Sequence, residues 1–78
     1  MKNPIIEFVE NIDDIVIKEM AREIIILNRD GVFSKDSVLK FMCDHLKKKL
    51  KLREINVFDF IGYLKDEIVR RFLKNENS

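Results

Sequence analysis

Cys43-Asp44-His45 is the one stretch of this 78-residue chain where nucleophile, acid and base types stand side by side. A thiol–imidazole pair does covalent chemistry only when the base can reach the thiol proton. On a helix, residues two apart point about 200° away from each other, so Cys43 and His45 cannot meet within one chain. The triplet reads as a small apolar thiol and a boundary histidine at the edges of a helix stripe. Asn28-Arg29-Asp30-Gly31-Val32-Phe33-Ser34 faintly imitates half of a calcium loop. With Gly31 at the sixth loop position, however, the first and twelfth fall on Ile26 and Ser37, which leaves too few hard oxygen ligands. The stretch reads instead as a helix stop and a turn. One cysteine and one histidine exclude a Cys/His zinc cage, and no phosphate-cradling glycine loop is present. The sequence therefore points away from an enzyme and calls for no cofactor or metal.

Charge is the more informative signal. Residues 1–39 carry five cations and eight acids, whereas residues 40–78 carry ten cations and six acids. Five of those cations fall in Lys47-Lys48-Lys49-Leu50-Lys51-Leu52-Arg53. Cations at a helix C-terminus gain roughly 0.3–1 kcal/mol each from the macrodipole, which accounts for part of the cluster. Lys47, Lys48, Lys51 and Arg53 are the candidate anion-binding residues if the chain contacts phosphates. No helix–turn–helix signature supports that reading: the 52–56 connection lacks glycine, and the next helix opens with the apolar and acidic Val57-Phe58-Asp59-Phe60.

Some charges stand at apolar angles. Lys49 lies seven residues after Met42 and Arg71 seven after Leu64, which places both near the centre of their stripes. Glu19 and Glu23 fall inside the apolar arc of the N-terminal third. They are expected to meet cations such as Lys49 or Arg71 of the same or another chain, fixing register more than adding stability. That arc runs from Ile15 and Ile26 through Val16, Met20 and Leu27 to Ile17 and Ile24, about 200° of the circumference, and Ile25 extends it. Such a helix needs cover on more than one side. Ile15, Glu19, Glu23, Ile25 and Ile26 are accordingly the candidate partner or dimer interface.

These residues must be carried by helices. Val57, Phe60, Ile61, Leu64, Ile68 and Phe72, widened by Phe58 and Val69, predict a helix over 56–74 capped by Asn56, with Asp66, Arg70 and Lys74 on its wet face. Val38, Leu39, Met42, Leu46 and Leu50 predict another over 35–51, capped by Ser34. Asn3-Pro4 opens a helix, and Ile5, Val9, Ile12, Val16, Met20 and Leu27 stay in phase as far as residue 27. One helix over 4–29 and two helices over 4–11 and 13–29 fit equally. The second reading breaks at Asn11, whose spacing to Asp14 imitates a capping box. Gly31 is expected at positive φ. All readings give one all-α domain over 1–78, a bundle of three or four antiparallel helices joined by short connections.

Apolar residues make up 46% of the chain and charged ones 37%, at a net charge of +1, which suits a soluble globular domain. So short a chain has a marginal core unless helices pack very well or chains associate. Early acidic residues exclude a signal peptide, and a free cysteine suits a reducing cytoplasm. Eleven Ile and ten Lys against one Ala match an AT-rich gene, as in phages and plasmids. The expected function is that of a small cytoplasmic interaction module, a phage-like accessory protein acting as regulator, adaptor or inhibitor on a partner protein as a homodimer. The alternative is a nucleic-acid-binding regulator using 47–53. A membrane surface, met by the apolar face of the last helix, ranks below both.

Overall fold

The computed structural model describes residues 3–31 and 34–73. Four helices follow one another: α1 (Pro4–Glu10), α2 (Asp14–Asp30), α3 (Val38–Lys49) and α4 (Val57–Ile68), the last running into a π turn, Val69–Leu73. The described residues hold no strand, so the fold is all-α as expected. α4 packs on both α1 and α2, and α3 packs on α2. The molecule measures 40 × 36 × 19 Å, about half as thick as it is wide, so much helix surface faces solvent.

The N-terminal third is two helices, not one. Asn3 caps α1 by accepting from the Ile5 amide at 2.8 Å, and Pro4 occupies the first turn. Asn11 does not start α2 as the capping-box spacing suggested. It ends α1: its amide bonds the Phe8 carbonyl, and its side-chain Nδ2 donates to the Glu7 carbonyl at 2.8 Å. Asp13 holds the cap position of α2 without a side-chain bond. The break resets the helical phase, so the buried line of α2 is Ile17, Met20 and Ile24, while Val16 and Leu27 are only partly buried.

Gly31 stands at φ 68°, as expected, and its amide closes α2 on the Leu27 carbonyl at 2.7 Å. Val32 and Phe33 lie outside the described residues. The cap of α3 is Ser37 rather than Ser34, and the helix starts three residues later than its pattern suggested. Ser34 Oγ instead accepts from the Asp36 amide at 3.1 Å within a turn, while Ser37 Oγ accepts from Lys40 N at 3.0 Å. Asn56 caps α4 through the Phe58 and Asp59 amides. Lys74, the expected end of the last helix, lies outside the described residues.

The core is Val9, Ile12, Ile17, Met20, Ile24, Leu39, Cys43, Leu46, Phe60, Ile61 and Leu64. Cys43 sits inside it and not at a stripe edge. Three stripe assignments are corrected: Phe58 is 78% exposed and Val69 49%, and Lys49 lies at the surface with Nζ over the Phe8 ring at 5.4 Å from its centroid. Lys49 is thus a stem covering an aromatic face rather than an inward charge.

Candidate functional site

α2 buries one side against α3 and α4 and leaves the opposite side bare. At 100° per residue, Ile15, Glu19, Arg22 and Ile26 line up on one face, and the buried Ile17, Met20 and Ile24 lie on the other. Ile15 is 79% exposed and Ile26 40%, and Ile25, 66% exposed, flanks the line on one side. Between the two isoleucines, Arg22 Nη1 pairs with Glu19 Oε1 at 3.7 Å. Three of the five expected interface residues, Ile15, Glu19 and Ile26, therefore share one face, with Ile25 beside them.

Glu23 does not belong there. Its Oε1 accepts from the Val38 amide at 2.7 Å and its Oε2 from the Leu39 amide at 2.8 Å. The first amides of a helix have no intrahelical acceptor, and the N-terminal end of the helix dipole favours an anion. Glu23 therefore caps α3 from a neighbouring helix. Within one chain, neither it nor Glu19 meets Lys49 or Arg71, so the expected pairing is not formed inside the bundle.

Arg71 does point inward, to other partners. Its Nε donates to Glu67 Oε2 at 2.6 Å, its Nη1 to Asp14 Oδ1 at 2.8 Å, and its Nη2 to the carbonyls of Glu10 at 2.9 Å and Val9 at 3.4 Å. Those carbonyls belong to the last turn of α1, which lacks intrahelical donors. Arg70 adds Nε to Glu67 Oε1 at 3.0 Å and Nη2 to Glu67 Oε2. Glu67 is only 5% exposed. The Arg70 hydrogen bonds hold its carboxyl below the usual range against the opposing effect of burial, and Arg71 reinforces them. Sequence reasoning missed Glu67, although its place three residues after Leu64 and seven after Phe60 puts it on the apolar face.

Of the four candidate anion-binding cations, Lys47 and Lys48 lie in the last turn of α3, and Lys51 and Arg53 follow it. Lys47 is partly buried, and Lys48, Lys51 and Arg53 are exposed. None makes an ion pair among the described residues. The backbone beneath them is a Schellman turn: Leu52 N bonds the Lys47 carbonyl at 2.9 Å and Lys51 N the Lys48 carbonyl at 3.2 Å. Lys51 holds the left-handed position at φ 56°, where glycine is the usual residue.

Phe8, Ile12, Val16, Phe41 and Met42 line an open groove of about 390 Å³ between α1, α2 and α3. Phe41 is 68% exposed and stacks on the exposed His45, with ring centroids 6.5 Å apart. Cys43 lies buried, and its thiol is pushed up by burial and then by Asp44, which holds it protonated and unreactive. Among the described residues, no helix is long and apolar enough to cross a membrane. No family model, curated protein or solved structure matches this chain, so its own surfaces carry the functional reading.

Proposed function

We propose that this protein is a small interaction module that performs no reaction of its own and works as a homodimer, acting on a partner protein as regulator, adaptor or inhibitor. The observation that carries the reading is the bare face of α2. Ile15 and Ile26 stand exposed directly opposite a side of the same helix that is already packed. Isoleucine is not a residue that a solvated helix face needs, and two of them in one line mark a surface that is covered in use. A second copy is the simplest cover, since closed two-fold dimers are the commonest assemblies. Sedimentation at micromolar concentration tests it: a dimer is expected, weakened by Ile26→Asp far more than by Lys18→Asp. A clean 9.3 kDa monomer at high concentration rejects it.

A second reading is favoured by one observation, the cluster of Lys47, Lys48, Lys51 and Arg53, none of which makes an ion pair among the described residues. It makes the protein a nucleic-acid-binding regulator. Binding to random duplex that falls steeply with salt, by several log units per log unit, would select this reading, and no binding at low salt removes it.

A further inference from the structure

The bare face of α2 has an internal symmetry that composition alone does not require. Ile15, Glu19, Arg22 and Ile26 are separated by four, three and four residues, the seam spacing of a coiled coil. Laid antiparallel against itself about a two-fold axis passing between Met20 and Ala21, the line maps onto its own complement. Ile15 faces Ile26 of the second copy at both ends, and Glu19 faces Arg22 at the centre. From these placements we infer that the occupant of this face is the α2 of a second copy of the chain, antiparallel and in that one register. The inference rests on the homodimer reading above and goes further by naming the helix, its direction and its alignment.

Charge discriminates among the alternatives. Parallel pairing would set Glu19 against Glu19 and Arg22 against Arg22, with like charges opposed. Sliding the antiparallel pair by one heptad either way sets Glu19 against Ile15 or Arg22 against Ile26 and loses both Ile15–Ile26 pairings. In the proposed register the pair already formed within each helix, Arg22 Nη1 to Glu19 Oε1 at 3.7 Å, closes into a ring of four alternating charges with apolar contacts on either side. Apolar ends supply the attraction, and the central charges fix the alignment. The outer side of α4 also carries exposed Phe58, Val69 and Leu73, but its line runs through the π turn that interrupts the regular helix. α2 is regular throughout its 17 residues.

The test combines charge reversal with cross-linking on the full chain. Glu19→Arg alone and Arg22→Glu alone each set like charges across the seam twice per dimer. Each is expected to weaken dimerisation on the order of tenfold, and the double variant to restore it. Circular dichroism of each variant shows whether the helices stay folded. Separately, chains bearing Ile15→Cys and Ile26→Cys are oxidised alone and as a mixture. Only the mixture is expected to give a disulfide-linked dimer, because a residue at 15 or 26 lies about 16 Å along the axis from its own copy. A dimer indifferent to the charge reversals and not cross-linked by the mixture overturns this register while leaving the homodimer reading intact. A chain that stays monomeric at high concentration overturns both.

Discussion

The joint between α1 and α2 and the turn between α3 and α4 both gather charge, and they treat it in opposite ways. At the joint, Glu67, Arg70, Arg71 and Asp14 bond one another, and Arg71 also takes two helix-end carbonyls. At the turn, Lys47, Lys48, Lys51 and Arg53 have no ionic partner among the described residues. The cause is geometric. The end of α4 passes the last turn of α1, whose carbonyls need donors, so arginine there is held by the fold. The end of α3 closes its carbonyls with its own backbone, so its lysines have nothing left to satisfy. Cations of the first kind hold helices together. Those of the second kind are available to whatever approaches.

Removing the joint's central donor is expected to have the largest effect. Arg71→Met leaves Glu67 with one arginine and removes the bonds to Asp14 and to the Val9 and Glu10 carbonyls, which should cost about 2–4 kcal/mol in urea unfolding. In a small domain with about 5 kcal/mol in total, that approaches loss of the fold. An unchanged midpoint would mean that apolar contacts alone hold the joint. The same network predicts acid sensitivity. Glu67 is depressed in the folded state, so its stabilisation is complete above the unfolded carboxylate range and is lost as pH falls through the lower folded value. Stability measured between pH 6 and pH 3 should fall steeply, and Glu67→Gln should flatten that limb while lowering the plateau.

Next come the two left-handed helix ends. Gly31→Val places a branched side chain at φ 68° and should cost about 1–2 kcal/mol. Lys51→Gly runs the other way: it relieves a side chain at φ 56° and should add about 1 kcal/mol, raising the melting temperature by roughly 4–8 °C. A melting point unmoved by Lys51→Gly would show that the turn is not strained. The smallest effect is expected for Lys48→Ala, within about 0.5 kcal/mol in the same assay. A larger loss there would erase the contrast between the two regions.

What could be read in advance follows the same division. Helix existence was legible because apolar spacing is local: Leu39 and Leu46, or Phe60 and Leu64, declare their face without reference to the rest of the chain. Gly31 and Asn56 were legible because each carries its own backbone preference. Lys51 was not, since nothing in a lysine announces a left-handed end. Ser34 is the cap that the pattern suggested, but the cap falls on Ser37, beside the Val38 and Leu39 amides that Glu23 holds from α2. The inward place of Arg71 follows from its spacing to Leu64, yet its partners come from a joint that the in-phase run from Ile5 to Leu27 left as one of two equal readings. For the candidate interface, the exposure of Ile15, Ile25 and Ile26 could be argued from the width of the arc. The diversion of Glu23 could not, because it depends on where a distant helix begins.

The Glu23 carboxylate has a consequence for motion as well as for placement. The first amides of a helix are ordinarily the quickest to exchange hydrogen with water, since fraying alone exposes them. In α3 the Val38 and Leu39 amides are held by a side chain fifteen and sixteen residues earlier in the chain. Local fraying of α3 does not release them; separation of α3 from α2 does. Their exchange rates therefore time the opening of one helix from another, and Glu23→Gln should quicken exchange at those two sites ahead of the middle of α3.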